Sequence, residues 1–412
     1  MATFTTAIVY IFLFLSLYFE VFLLITYFER QEEVDEAGGM RTLTSHPTVT
    51  IMVPVWNEEK TVSGTVNSLL ALDYPKDKLS VLVVDDGSTD GTWEVLQSFT
   101  GNPQVKIAKK PNGGKYTALN YGLERSDSEF VGCLDADSFV DPQALNEIMP
   151  FFDDPKVMSV VPSIKVHNPT SVIQLIQKVE YAWGIFIRKV LSLIDALYVT
   201  PGPLSIFRRD VFKNLGPYRH AHNTEDLELA LRMQANNYKI VNAHRAYVYT
   251  VAPKTLKKLY KQRLRWTYGF LKNIIEYKRL FFNRKHGYLG MLVLPMATLT
   301  IFSALYFTTA TVIATAQSFA KRIVQIQTVG LHFHWSWDLQ WFYINTEVIS
   351  FIGLSLFIIT TALILLSRKV ADGKIGWGRD LVYFLVLYSF IAPLWLAKSV
   401  YNLAFSRSTK WR

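Results

Sequence analysis

Long apolar stretches alternate with stretches of mixed polarity along this chain of 412 residues. A helix of about 20 predominantly apolar residues crosses the ~30 Å hydrocarbon layer of a bilayer. Four stretches reach that length, so the pattern predicts membrane spans at residues 6–28, 288–315, 348–366 and 381–405. No lysine or arginine precedes the first stretch and no small-x-small cleavage site follows it, so we interpret it as a retained anchor and not as a signal peptide.

Between the first and second spans, short runs rich in Val, Ile and Leu alternate with segments of helical character. The runs predict strands at residues 48–55, 79–87, 105–110 and 129–137. The segments between them predict helices at 58–72, 89–99 and 116–124. Apolar strands separated by helices are typical of a mostly parallel sheet covered by helices on both faces. The predicted fold class is therefore α/β, with α-helical transmembrane segments added.

Two more segments, at 171–194 and 255–277, combine a helical period with many basic residues. Helices of this kind rest on a membrane surface, with their lysines at the headgroups. Both segments are therefore predicted to be interfacial helices. For the first of them, a helix of the protein core is an equally good interpretation.

The formal net charge is +9, and 50% of the residues are hydrophobic. Basic residues cluster beside the predicted spans, where anionic headgroups attract them, so membrane lipid suits this charge better than nucleic acid. The same bias predicts a multi-pass protein of the cell membrane whose middle segment is cytoplasmic. The predicted regions are an anchor (1–28), a cytoplasmic domain with interfacial helices (29–285) and a C-terminal transmembrane region (286–412). The basic tail leaves the orientation of the last span open.

Polar clusters lie at or just beyond the ends of the predicted strands, at residues 56–59, 85–92, 111–115 and 135–137. The carboxyl ends of parallel strands meet at one edge of a sheet, where ligands bind. One residue lies between Asp135 and Asp137, and in an extended strand the two side chains would face the same way. Two such charges repel unless something positive lies between them. The pair therefore predicts a cation site, with a solvated strand end as the alternative.

Lys115 follows two glycines and opens a predicted helix. Backbone N–H groups and a cation then meet at a helix N-terminus, an arrangement that suits a phosphate. An ordinary surface lysine is the alternative interpretation.

Six motifs follow one another in a fixed order, namely VPVWNEE, VVDDGSTDGT, NGGKYTALNYGL, CLDADS, NTEDLELALRM and QRLRW. Together they resemble the processive, membrane-embedded family 2 glycosyltransferases that make cellulose, chitin, hyaluronan and poly-N-acetylglucosamine. The resemblance covers residues 49–278 and the flanking spans. It implies a GT-A-like fold, a UDP-sugar donor and a bound Mg²⁺ or Mn²⁺.

The resemblance also implies a role for each matching residue. Asp135 and Asp137 form the D-x-D pair of the metal site, while Asp226 is the general base and Glu225 its catalytic neighbour. The implied donor-binding residues are Trp56, Asn57, Glu58, Asp85, Asp86, Lys115, Asp135, Gln262 and Arg265. The implied acceptor-binding residues are Gly202, Pro203, Leu204, Ser205 and Trp266.

The implied function is processive, inverting polymerisation of a UDP-sugar, with translocation of the polysaccharide across the membrane. A single span before the domain favours poly-β-1,6-N-acetylglucosamine made from UDP-N-acetylglucosamine. The GPLS sequence keeps hyaluronan, chitin or another β-glycan open. A non-processive transferase onto a lipid phosphate and a non-catalytic polysaccharide exporter subunit are further alternatives. The implied partners are the donor, the growing polysaccharide, membrane lipid and a small accessory membrane subunit, without nucleic acid.

Overall fold

The structure is a computed structural model that describes residues 2–30, 45–330 and 348–405. By its internal contacts the chain divides into two units. One comprises Met1–Phe22 and Met296–Leu363, and the other comprises Leu23–Pro295 and Ile364–Arg412. The second unit contains the sheet.

Eight strands form one sheet in the order β3-β2-β1-β4-β7-β6-β8-β5. Their bounds are β1 Val49–Val55, β2 Leu79–Asp85, β3 Val105–Lys109, β4 Phe130–Cys133, β5 Ser138–Val140, β6 Val157–Val166, β7 Ile206–Arg208 and β8 Lys239–Thr250. The first four strands pair in parallel, as predicted. Strand β7 joins β4 to β6 by antiparallel pairing on both sides, β6 and β8 are parallel, and β5 closes the edge antiparallel to β8.

Helices cover both faces of this sheet, which confirms the predicted α/β class. They are α2 Val62–Leu70, α3 Thr92–Gln97, α4 Lys115–Glu124, α5 Ala144–Ile148, α6 Val172–Leu193, α7 Asp210–Leu215, α8 Glu225–Ala235 and α9 Leu256–Glu276. Ile51 and Val53 of β1 belong to one core cluster with Val66 of α2. Met52, which points the other way, packs with Leu119 of α4. Side chains that alternate along a strand therefore contribute to two cores, one on each face of the sheet.

The predicted strand through Asp137 is wrong in its last part. Strand β4 ends at Cys133, and the Ser138 amide donates to the Asp135 carbonyl at 3.0 Å. Both aspartates thus lie on a tight turn between β4 and β5, not on one face of an extended strand. The sequence could not distinguish these two geometries, because β5 pairs only with the distant strand β8.

Helices long and apolar enough to cross a membrane cover Thr6–Glu29, Leu289–Thr328, Val348–Asp372 and Arg379–Ala404, in agreement with the four predicted stretches. They comprise α1 Ala2–Glu29, α10 Leu294–Val329, α11 Val348–Asp372, α12 Arg379–Tyr383 and α13 Ser389–Ala404, with π-helical segments Leu289–Val293 and Phe384–Tyr388. Within the first unit, Phe12 packs edge-on against Tyr306, and Thr360 donates to Glu20 at 2.6 Å.

Helix α6 buries side chains on the protein and is not exposed along a whole face. Val179 packs with Ile364 and Leu381, while Gln174 and Gln177 donate to the carbonyls of Ala252 and Pro253. These contacts support the interpretation of α6 as a helix of the protein core. Its placement at a membrane surface stays a prediction.

Candidate active site

Lys115 lies at the centre of the predicted acidic edge. It opens α4, and its Nζ lies 2.7 Å from Oδ1 of Asp135 and 3.2 Å from Oε1 of Glu225. Burial alone would lower the pKa of Lys115, but Asp135 and Glu225 overcome this and hold it well above its usual value. Lys115 is thus a permanent cation that joins the D-x-D turn to the start of α8.

The D-x-D turn carries more negative charge than Lys115 can balance. Burial, and then the charges of Asp135 and Glu58, raise the pKa of Asp137 to about 7. A carboxyl that takes up a proton at this pH lies where an added positive charge would be stabilised. Mg²⁺ and Mn²⁺ prefer oxygen ligands, and Mg²⁺ commonly keeps waters beside one or two carboxylates and substrate phosphates. Asp135 and Asp137 therefore fit such a cation.

The described residues contain no cluster of three or more His, Cys, Asp or Glu side chains with metal-binding geometry. A cation held by these two carboxylates has further coordination positions, which take waters or other oxygen ligands. A diphosphate is one group that supplies them.

Asp86 holds a loop in this structure. Its carboxylate accepts from Lys110 at 2.5 Å and from the amides of Gly113 and Gly114 at 3.1 and 2.8 Å. Asp85 accepts from the Ser88 amide at 2.8 Å. Both side chains are buried, and their contact with a donor stays a prediction.

Asn57 adopts a left-handed backbone with φ of +56°, which turns the chain sharply after β1. Its side-chain oxygen accepts from the Thr89 amide at 2.8 Å, and its own amide donates to Ser88 at 3.0 Å. The Glu58 amide donates to Thr92 at 2.9 Å. The segment from Trp56 to Glu58 is therefore fixed to the loop after β2, as the predicted convergence requires.

Asp226 is the predicted base, and it lies in the first turn of α8. Burial and then the charge of Glu225 raise its pKa to about 6, while Lys115 acts in the opposite direction. One carboxylate oxygen accepts from the Leu227 amide at 2.9 Å, and its carbonyl accepts from the Thr200 hydroxyl at 2.8 Å. Such a carboxylate is ionised at neutral pH and is more basic than an ordinary carboxylate, which suits proton abstraction.

Just before this motif, three consecutive residues have left-handed backbones. The φ values are +43° at Ala221, +55° at His222 and +64° at Asn223. None is glycine, so each conformation costs roughly 1–3 kcal/mol. The sequence analysis missed this turn, because a run of Ala, His and Asn carries no signal for it.

Helix α9 holds the left-handed turn in place. Arg265 donates to the Asn223 carbonyl at 2.9 Å, and Asn273 donates to the Thr224 hydroxyl at 2.9 Å. Gly269 lies between them, and a Cβ there would overlap the side chain of Thr224. The resemblance implies that Arg265 binds the donor. In this structure Arg265 contacts the segment that leads to Asp226.

Trp266 lies outside this contact, with 38% of its surface exposed. The Arg263 guanidinium lies 4.1 Å from its ring centroid. Trp266 and Gly269 lie three residues apart on α9 but have different surroundings, because Gly269 is buried against Thr224 while Trp266 remains exposed.

The predicted acceptor loop is only partly at the site. A Cβ on Gly202 would lie 2.7 Å from the Lys115 Nζ and 3.1 Å from the Asp135 carboxylate, so this glycine contacts the ion pair. Leu204 and Ser205 are completely buried, and Pro203 is also buried. The Leu204 amide donates to the Cys133 carbonyl at 2.6 Å. These three residues would thus act on an acceptor only through the loop backbone.

We expect Gly269→Ala to destabilise the protein, although alanine is ordinarily favoured over glycine inside a helix by ~1 kcal/mol. The added methyl group overlaps Thr224, and such overpacking costs about 1–3 kcal/mol. Thermal unfolding of the purified protein should show a lower Tm. Gly101→Ala, where nothing lies within 4 Å, should leave it unchanged. An unchanged Tm for Gly269→Ala would contradict the close packing of α9.

Two bacterial synthases are similar to this chain in sequence. Poly-beta-1,6-N-acetyl-D-glucosamine synthase of Staphylococcus epidermidis is 32% identical over 224 residues, which cover 54% of each chain. The synthase of the same name from Staphylococcus aureus strain COL is 30% identical over 269 residues, covering 62% of this chain and 63% of that one. The matched region thus spans between about half and two thirds of these relatives.

A solved structure shows a similar fold over nearly the whole chain. It is the mannosyltransferase PcManGT from Pyrobaculum calidifontis in complex with GDP-Man and Mn²⁺, with a TM-score of 0.59 and 18% identity. The match covers 95% of this chain and 99% of that one. This likeness confirms the GT-A-like fold.

The family model described as glycosyltransferase like family 2 matches residues 46–269, more than half of the chain. The matched region begins just before β1 and ends within α9, so it contains the Lys115 ion pairs, the D-x-D turn and the start of α8. The chain belongs to the glycosyltransferase-like family 2.

Proposed function

We propose that the protein transfers N-acetylglucosamine from UDP-N-acetylglucosamine to the end of a growing β-1,6-linked polymer, processively and with inversion. The observation that carries this proposal is the buried ammonium group of Lys115, which forms ion pairs with two carboxylates. Lys115 contacts Asp135, assigned to the donor, and Glu225, which precedes the assigned base Asp226. Donor and acceptor chemistry would therefore meet within one side-chain length. The names of the Staphylococcus relatives support this choice of sugar and linkage.

Asp226 is proposed to take the proton of the attacking acceptor hydroxyl. The new bond joins that oxygen to the anomeric carbon, and the bond from this carbon to UDP breaks with its electron pair on the diphosphate. Lys115 and Arg265 are proposed to contact the leaving diphosphate, with Arg265 offering several donors in one plane. Asp135 and Asp137 would hold Mg²⁺ or Mn²⁺, which when bound neutralises charge on the diphosphate.

The four candidate membrane spans support transfer to a polymer that leaves the site. Four helices are long and apolar enough to span a bilayer, and the exposed ring of Trp266 offers a surface for a sugar. We propose a multi-pass protein of the cell membrane with a cytoplasmic catalytic domain, in which Trp266 stacks on the acceptor. Hyaluronan, chitin or a lipid-linked sugar as product would require the same site chemistry. A non-catalytic exporter would not need a base, and family membership disfavours it.

Product analysis tests the proposed function. The purified protein should release UDP from UDP-N-acetylglucosamine much faster than from UDP-glucose, UDP-glucuronate or GDP-mannose. Its product should be a polymer that a glycosidase specific for β-1,6-linked N-acetylglucosamine degrades. A product resistant to that enzyme, or only a lipid-linked monosaccharide, would overturn the proposed polymer.

We expect Asp135→Asn and Asp137→Asn each to lower UDP release by at least about 100-fold. Each change removes a proposed cation ligand, and a bound cation contributes several kcal/mol of charge stabilisation. Thorough chelation of the wild-type protein should have the same effect, and added Mn²⁺ should restore it. Asp77→Asn changes an exposed carboxylate and serves as the control. Full activity after chelation would contradict the cation site.

The pH dependence of synthesis should report Asp226. A base acts only when deprotonated, and its pKa is about 6. kcat/KM should therefore fall about tenfold per pH unit below 6 and level off above 7. Asp226→Asn should lower synthesis by about 10²- to 10⁴-fold with nearly unchanged UDP affinity.

The neighbouring residue provides the comparison for this experiment. Glu225→Gln should weaken the contact with Lys115 but retain the acid limb of the profile, because Asp226 is still present. If Asp226→Asn is nearly normal and Glu225→Gln loses the acid limb, Glu225 is the base.

A further inference from the structure

Arg263, the first arginine of the QRLRW motif, is buried between two amphipathic helices. Its Nε and Nη2 donate to the two carboxylate oxygens of Glu180 on α6, at 2.9 and 2.8 Å. Two parallel bonds between a guanidinium and a carboxylate fix both the distance and the angle between their planes. The pair therefore locks α9 to α6 in one orientation, across 83 residues of sequence.

Arg263 also fixes two neighbours on its own helix. Its Nη1 donates to Oε1 of Gln262 at 2.7 Å, and its guanidinium lies 4.1 Å from the ring centroid of Trp266. An arginine has donors only, so the Gln262 amide must turn its oxygen toward Arg263. The NH₂ group of Gln262 then faces away as a donor for a ligand. The cation over the indole restrains the ring as well.

Glu180 has a further partner in the last candidate span. The Tyr388 hydroxyl donates to Oε1 of Glu180 at 3.1 Å. Tyr388 is the last residue of the π-helical segment Phe384–Tyr388, and its ring stacks on Phe384 with centroids 4.8 Å apart. A π-helical turn interrupts the regular helical register and is frequent at functional sites. Here it places a hydroxyl of the span against the carboxylate that holds Arg263.

We infer that Tyr388, Glu180 and Arg263 are positioning residues, through which the last candidate span orients the ring of Trp266 for the acceptor. This inference rests on the proposed function, since it takes Trp266 to contact the growing chain. In the described part of the chain, Lys115, Asp135 and Asp226 form no hydrogen bond or ion pair with these three residues. The link should therefore govern how the acceptor is held and leave donor binding unchanged.

Tyr388→Phe is the sharpest test, because it removes one hydroxyl and keeps the ring. We expect the KM for an oligosaccharide acceptor to rise about three- to tenfold, which corresponds to the net contribution of one typical hydrogen bond. Polymer length should fall, while kcat at saturating acceptor and the KM for UDP-N-acetylglucosamine stay unchanged. Tyr383→Phe removes a hydroxyl one turn earlier in the same span, for which the described residues show no hydrogen bond, and should match the wild type in all of these.

Arg263→Lys tests the next step of the link. Lysine keeps the charge but cannot bind Glu180 with two parallel bonds and cover Trp266 at the same time. The acceptor KM should rise by more than ten-fold, and by clearly more than the donor KM, which depends on Arg263 only through Gln262. Adding Tyr388→Phe to Arg263→Lys should have little further effect, because the hydroxyl acts through the broken pair.

Failure of the inference and failure of the proposed function give different results. A wild type that makes no polymer refutes the proposed function. A wild type that polymerises, with Tyr388→Phe showing normal acceptor KM and polymer length, refutes the link. Equal rises in donor and acceptor KM would also overturn it, since the cluster would then be structural. Calorimetric titration with the acceptor oligosaccharide gives the same comparison without turnover, and a Tyr388→Phe affinity equal to wild type overturns the inference.

Discussion

The site depends on one buried cation among several carboxylates. Lys115 lies 2.7 Å from Asp135 and 3.2 Å from Glu225, and the turn and helix that carry these groups lie far apart in sequence. Burying like charges together is costly unless a positive charge balances them. The surrounding backbone is shaped around this lysine. Gly114, the N-cap of α4, has a φ of +90°. Gly202 has no Cβ, and a Cβ there would lie 2.7 Å from the Nζ of Lys115.

The lysine leaves the edge with excess negative charge, and that excess supports the proposed chemistry. Burial, and after it this excess charge, raises the pKa of Asp137 to about 7 and that of Asp226 to about 6. The turn before Asp226 is strained. Three left-handed residues cost several kcal/mol in total, and the contacts of α9 with Asn223 and Thr224 offset that cost.

Local sequence patterns predicted the strands and helices that follow one another along the chain and pack as neighbours. The parallel half of the sheet follows from apolar runs separated by helices, and the convergence of Asp86, Lys115 and Asp135 follows from the strand ends. The insertion of β7 between β4 and β6 did not follow, because its short segment carries no pairing signal. The turn at Asp135 and the left-handed turn at His222 are set by distant contacts. The pairing of Glu180 with Arg263 likewise joins two helices that a local pattern treats separately.

The most direct test of the account is the linkage between metal and nucleotide in the wild-type protein. Two carboxylates alone are a weak site for Mn²⁺, and a diphosphate would complete its coordination. Calorimetric titration of UDP at neutral pH should show at least tenfold tighter binding with Mn²⁺ than with chelator, and Mn²⁺ affinity should rise by the same factor when UDP is present. UDP affinity that is equal with Mn²⁺ and with chelator would contradict the claim that the Asp135–Lys115–Glu225 cluster is built for a cation and a diphosphate.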